Sequence, residues 1–78
     1  MAVVKVTALD DPATGLAAVV ALRRLADRLE DAQVEQALRS GWSWPQVAEA
    51  LGVTRQAVYK KHVRRLATAG VPLRRRNA

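Results

Sequence analysis

The sequence predicts a mainly α-helical fold with a short N-terminal strand, a long first helix and then two shorter helices. Hydrophobic residues make up 50% of the 78-residue chain, but there is no Phe, one Tyr and two Trp. Ala, Val and Leu therefore supply most of the apolar content, and Ala and Leu favour helices. Gly and Pro fall between long stretches that lack both, as in helices joined by short turns. A chain of this length has room for one core, so residues 1–78 are expected to form a single domain.

Residues 3–7 are the segment with strand character, because they comprise three valines, a lysine and a threonine. Asp10, Asp11 and Pro12 end the segment. A lone strand has no pairing partner within the chain, which leaves two interpretations of residues 1–10. They form a disordered tail, or the strand pairs with a second molecule. In the second case Val4 and Val6 belong to a dimer interface.

Residues 11–40 predict one helix of about seven turns. Asp11 is a favourable N-cap, and Pro12 suits the first helical position, where its missing N–H needs no partner. From residue 13 to residue 40 there is no Pro, and Gly15 is the one glycine. A break near Glu30 and Asp31 is the alternative.

A rotation of about 100° per residue separates the apolar residues of this helix into two stripes. Leu22, Leu25 and Leu29 form the first, which we call the leucine stripe. The second lies on nearly the opposite side and contains Leu16, Val20, Val34 and Leu38. A helix that is apolar on two sides needs two covering surfaces, so the leucine stripe is a predicted homodimer interface. A helix break that turns both stripes toward one core is the alternative.

Two shorter helices follow a stop signal at Gly41. Ser43 and Gln46 have the S-x-x-Q spacing of a capping box, which predicts a second helix from Trp44 to Leu51.

The next turn contains Gly52, which can adopt the positive φ that a sharp helix exit needs. Thr54 is the predicted N-cap of a third helix, which runs from Arg55 to about residue 69 and stops at Gly70. Residues 43–69 therefore form a helix-turn-helix, and residues 70–78 form a basic tail.

The segment SWPQVAEALGVTRQAVYKKHVRRL, residues 43–66, resembles the helix-turn-helix superfamily, in particular sigma-factor region 4 and homeodomain-like bacterial regulators. The matching positions are Ala48 at the helix crossing, Gly52 at the turn, and interior Val47, Leu51, Val53 and Val58. A weaker likeness over residues 11 to about 61 links the chain to small regulators and Clp-repeat-associated proteins of high-GC bacteria. The resemblance implies a transcriptional regulator that binds double-stranded DNA with its third helix in the major groove.

The third helix offers the predicted DNA contacts. Val58, His62 and Leu66 recur every four residues and are expected to point inward, which turns Val63 and the candidate readers outward. Arg can bond guanine and Gln can bond adenine in bidentate fashion. The predicted base-reading residues are Thr54, Arg55, Gln56, Tyr59 and Lys60.

Other polar and basic residues are predicted to contact the DNA backbone. They are Ser43, Trp44, Lys61, Arg64, Arg65, Arg74, Arg75 and Arg76. Trp42 and Trp44 flank the capping box and are expected to pack in the core or as a hydrophobic staple, with an indole contact to phosphate as the alternative for the helix start. The arginines of the tail lie along the DNA or remain solvated.

Basic side chains are concentrated in the second half of the chain. Residues 1–40 carry five basic and six acidic side chains, a balance of −1, whereas residues 41–78 carry eight basic and one acidic, a balance of +7. This asymmetry is expected of a protein that binds a polyanion through its second half. A basic surface that is only solvated is the alternative.

The residues that metal and catalytic sites require are scarce. There is no Cys, and His62 is the one histidine, so we predict no metal site, no cofactor and no enzyme activity, with His62 inside or at the rim of the core. The acidic pairs Asp10-Asp11 and Glu30-Asp31 are assigned to helix starts and solvent faces. No apolar run approaches the roughly 18 residues of a membrane span, so a cytoplasmic protein is expected.

Two rival functions remain open on the sequence. The basic helix could bind an acidic protein partner, such as a subunit of the transcription machinery, which would make the protein an adaptor. It could also bind nucleic acids without sequence preference, although one Tyr and no Phe offer few stacking surfaces.

Overall fold

The computed structural model describes residues 11–73, which form three α-helices: α1 (Pro12–Arg39), α2 (Trp44–Leu51) and α3 (Arg55–Thr68). The predicted strand with Val4 and Val6, and the arginines at positions 74–76, lie outside the described residues. All three predicted helices are confirmed, with bounds within one or two residues of those expected.

The long first helix is continuous, so the alternative of a break near Glu30 is wrong. Asp11 caps it by accepting hydrogen bonds from the Thr14 backbone N–H (3.1 Å) and hydroxyl (2.8 Å). The Thr14 hydroxyl bond is the main reason that the pKa of Asp11 lies below its ordinary value.

Each helix ends in a Schellman motif, with glycine at positive φ just after the helix. At the α2–α3 turn the N–H of Gly52 bonds to the Glu49 carbonyl (3.1 Å) and the N–H of Val53 bonds to the Ala48 carbonyl (3.0 Å). Gly52 has φ +71°, and a Cβ added there would meet no atom within 4 Å. The turn therefore requires glycine for its backbone conformation and not for space.

One small core holds the three helices together, formed by the last turns of α1, both shorter helices and the residues that follow α3. Its buried apolar members are Val34, Leu38, Trp44, Val47, Ala48, Val58, Leu66 and Val71. Ala48, Val47 and Val58 thus occupy the interior positions predicted for them. Val63, predicted to point outward, is half-buried and packs against this core.

Leu51 and Val53, which were predicted to be interior, are 40% and 46% exposed, so that prediction is wrong. The reason lies in α1, of which only Val34 and Leu38 are buried. No residue of α1 before Val34 is buried, and that part of the helix covers neither Leu51 nor Val53. Trp42 is likewise half-exposed and not part of the core.

The leucine stripe has no cover within the described chain. Leu22, Leu25 and Leu29 are 48%, 50% and 59% exposed. The second stripe is divided, because Val34 and Leu38 enter the core whereas its first two members remain exposed. No helix within residues 11–73 is both long and apolar enough to cross a membrane.

Candidate nucleic-acid interface

The corner between α2 and α3 is built from local hydrogen bonds. Ser43 and Gln46 form the predicted capping box: the Gln46 N–H donates to the Ser43 hydroxyl (3.3 Å), and the Ser43 N–H donates to Gln46 Oε1 (2.8 Å). Thr54 caps α3 by accepting from the Ala57 N–H at 3.1 Å. The two caps and Gly52 set the start and direction of α3.

The start of α3 presents the predicted base-reading side chains to solvent. All five are exposed: Thr54, Arg55, Gln56, Tyr59 and Lys60. On the helical wheel Gln56, Lys60 and Arg64 form a stripe on the side away from the core. No acidic residue lies in the first turn of α3. The positive end of the helix dipole and the arginine at the first position therefore add to each other.

Tyr59 is exposed, but its ring packs against the ring of Trp44. Its centroid lies 5.2 Å from that of Trp44, with the ring planes at 75°, an edge-to-face arrangement. Trp44 itself is 3% exposed, and its indole Nε1 is buried without a hydrogen-bond partner. The expected core packing of Trp44 is therefore confirmed, and its placement among the residues that contact the DNA backbone is wrong.

The inward side of α3 is confirmed as predicted. Val58, His62 and Leu66 are 2%, 1% and 0% exposed. The sequence did not indicate a polar partner for His62. In the structure Glu30, 32 positions earlier, contacts the His62 ring, so the assignment of Glu30 to a solvent face is wrong.

Four acidic residues of α1 face three basic ones of α3, and we call this contact the ionic seam. Its members are Asp27, Glu30, Asp31, Glu35, Lys61, His62 and Arg65. The shortest contacts join Glu30 Oε2 to His62 Nε2 (2.6 Å) and to Lys61 Nζ (3.1 Å). Arg65 lies 3.7 Å from Asp31 and 3.6 Å from Glu35.

His62 is bonded through both ring nitrogens. Nε2 contacts Glu30, and Arg65 Nη2 lies 3.1 Å from Nδ1. The neutral tautomer with its proton on Nε2 satisfies both bonds, since it donates to the carboxylate and accepts from the guanidinium. The hydrogen bond from His62 and, after it, the contact with Lys61 hold the pKa of Glu30 below its ordinary value. The hydrogen bond to Glu30 raises the pKa of Lys61.

The ionic seam divides the cations of α3 into two groups. Lys61 and Arg65, predicted to contact the DNA backbone, are directed to acidic groups of α1. Within residues 11–73 no carboxylate lies at ion-pair distance from Arg55, Lys60 or Arg64. The sequence contained a signal for the ionic seam. Asp27, Glu30 and Asp31 are spaced so that they share one side of α1. Lys61, His62 and Arg65 are spaced so that they can face these acids from α3.

The described part of the chain offers no cluster of three or more His, Cys, Asp or Glu side chains arranged to hold a metal ion. What it offers is a capped, exposed and basic helix held against a sharp corner. The protein-family model of the homeodomain-like domain matches residues 18–74 of the chain. The chain belongs to the homeodomain-like helix-turn-helix family. This family assignment confirms the predicted resemblance, and the family is one of DNA-binding domains that are typically not enzymes.

Relatives of this homeodomain-like protein occur in mycobacteria. Uncharacterised proteins of Mycobacterium tuberculosis and Mycobacterium bovis are 40% identical to it over 57 residues, which is 73% of this chain and 23% of each relative. The chain therefore spans about a quarter of the length of these relatives. No solved structure matches the chain.

Proposed function

We propose that the protein is a sequence-specific binder of double-stranded DNA that regulates transcription in the bacterial cytoplasm. The observation that carries the proposal is the exposed first half of α3, capped by Thr54, with Arg55 and Lys60 unpaired by the carboxylates of residues 11–73. Such a helix fits the major groove, where arginine and glutamine side chains distinguish base edges.

The contacts divide into two classes under this proposal. Thr54, Arg55, Gln56, Tyr59 and Lys60 face the bases, while Ser43 and Arg64 contact the backbone together with the arginines at positions 74–76. Lys61 and Arg65 are left out of the backbone set, because the ionic seam holds them toward α1. Trp44 is left out because it is buried.

We further propose that two copies associate through the leucine stripe. Three leucines about half-exposed on one side of a helix form an apolar surface of the kind that a second molecule covers. A dimer with two-fold symmetry would read two half-sites, about 34 Å apart or a multiple of that distance, on successive major-groove faces.

The test is selection of bound fragments from a random pool of duplex DNA. A recurrent consensus is expected, and its palindromic form would reveal the symmetry of the bound protein. Binding that enriches no sequence would reject base reading and leave a nonspecific nucleic-acid binder. No binding to any duplex at low salt would reject DNA as the partner and favour a protein adaptor.

A further inference from the structure

An apolar groove lies between the end of α1 and α2. Its volume is about 390 Å³, and its lining includes Val34, Ala37, Trp42, Val47 and Leu51. Trp42 and Leu51 are 42% and 40% exposed at its mouth. Burial of apolar surface is favourable, and a groove lined by exposed apolar side chains is a candidate contact site.

The groove continues the leucine stripe. A rotation of about 100° per residue places Leu22, Leu29, Gln33 and Ser40 within about 40° of one another on α1. Gln33 and Ser40 line the groove. One apolar surface therefore runs along α1 from Leu22 to Trp42 and Leu51, and a single straight helix can lie along it.

The first half of α1 has an apolar side that no other part of the described chain covers. Its part of the leucine stripe is exposed, with Leu22 and Leu25 at 48% and 50%, and it contributes no buried residue to the core. We propose that a second copy packs antiparallel along α1, so that the first half of its α1 covers the groove. This inference rests on the self-association proposed above and adds its direction and the groove.

Charge favours the antiparallel direction. Within α1, residues 12–28 hold three arginines and one aspartate, a net charge of +2, and residues 29–39 hold three acidic residues and one arginine, a net charge of −2. A parallel pair would oppose like halves, whereas an antiparallel pair opposes unlike ones and also opposes the helix dipoles.

The leucines indicate one register. When Leu25 lies opposite Leu29 of the second copy, Leu22 lies opposite a small residue, Ala32 of the second copy. The same register brings the helix around Ala18 to the groove. A large side chain opposite a small one packs without a void.

Single cysteines test this direction cleanly, because the natural chain has none. In the antiparallel register each introduced cysteine, Ala18→Cys or Gln36→Cys, lies 18 residues along the helix from the same cysteine in the other copy. This is a distance of about 27 Å. The two positions lie next to each other in a mixed dimer. A short bis-maleimide is therefore expected to link a mixture of the two variants and neither variant alone. In a parallel dimer each variant would link to itself and the mixture would add no heterodimer.

A second measurement tests the groove. Leu51→Lys places a charge at its mouth and is expected to raise the dimer dissociation constant by about tenfold or more in sedimentation equilibrium. Val53→Lys is the matched control, since Val53 is equally exposed but does not line this groove, and it should leave the constant unchanged.

The outcomes separate the two proposals. Self-linking of each cysteine variant would overturn the antiparallel direction and leave self-association intact, and equal effects of the two lysine variants would overturn the groove contact. A monomer at high concentration would overturn the inference and self-association together. The DNA selection tests base reading independently of all three results.

Discussion

Arg55 and Arg64 are exposed cations of α3 that are expected to serve different purposes on DNA. Arg55 occupies the first position of the helix, next to the capping residue, and Arg64 lies more than two turns further along. Neither is drawn into the ionic seam. Their equal charge makes them a matched pair, in which a difference in behaviour reports the kind of contact and not the charge.

We expect Arg55→Ala to weaken binding to the best site by about 1 to 3 kcal/mol and to relax the preference at one base position, because a bidentate guanine contact is lost. Arg64→Ala should weaken binding to all sequences alike and reduce the salt dependence by about one counterion. Titrations against single-base variants of the selected site measure both. If the two variants lose affinity equally across that panel, Arg55 is not a base reader.

His62 connects the core to the ionic seam, and we expect its bonds to be worth more than those of its exposed neighbour. His62→Leu removes both ring contacts from a side chain that is 1% exposed, for an expected loss of about 1.5 to 3 kcal/mol, the range for hydrogen bonds to charged groups. Lys61→Ala should cost less than about 1 kcal/mol, because the Lys61 side chain is half-exposed and exposed ion pairs contribute little to stability. Urea unfolding followed by tryptophan fluorescence gives both values, and similar losses would contradict the ranking.

At the scale of elements, the helix bounds were predictable because capping and stopping residues act locally. Asp11, Ser43 and Thr54 each bond to a backbone N–H three residues later. Leu51 and Val53 were wrongly predicted to be interior, because their burial depends on how far along α1 the contact with the core extends. The ionic seam was missed for the same reason, because it joins residues about 30 positions apart.

The α2–α3 turn depends on one backbone conformation. We expect Gly52→Ala to destabilise the fold by about 1 to 2 kcal/mol, since an L residue with a Cβ is strained at positive φ. Gly52→Asn is the control, because asparagine tolerates this conformation better and should cost less. Thermal unfolding of both variants measures the difference. Because no atom lies within 4 Å of the added Cβ, equal losses would point to a cause other than φ.

The ionic seam predicts a stability that changes at acid pH. The pKa of Glu30 is lowered in the folded protein, so its contribution is complete above the unfolded value of about 4.3 and is lost as the pH falls below it. The pKa of Lys61 is raised, so its contribution is lost only above about pH 10.4. Glu30→Gln cannot titrate and should lose less stability than the natural chain between about pH 5 and pH 3. Parallel losses in urea unfolding at both pH values would contradict this assignment.

At the scale of the whole molecule, α1 is long relative to the core it serves. A helix of 28 residues spans about 42 Å, and the described chain extends 51 × 22 × 19 Å. The core of the described residues includes only the last turns of α1, with Val34 and Leu38. The rest of the helix exposes apolar side chains on two sides, which is the form of an association element. Two apolar stripes indicated this from the sequence, but where the core ended along α1 required the structure.

Leu25→Glu tests that element, because it places a charge at the centre of the leucine stripe, where Leu25 is 50% exposed. The natural protein is expected to sediment as a dimer at micromolar concentration and the variant as a monomer, since the apolar contact would hold an unpaired carboxylate. Ala17→Glu adds the same charge to the same helix away from the stripe and should remain a dimer. Affinity for a two-half-site DNA should fall steeply in the monomeric variant, because linkage no longer raises the effective concentration of the second reader. Affinity for a single half-site should stay the same. If the natural protein sediments as a monomer and protects no more than one half-site, the leucine stripe is not a dimer interface.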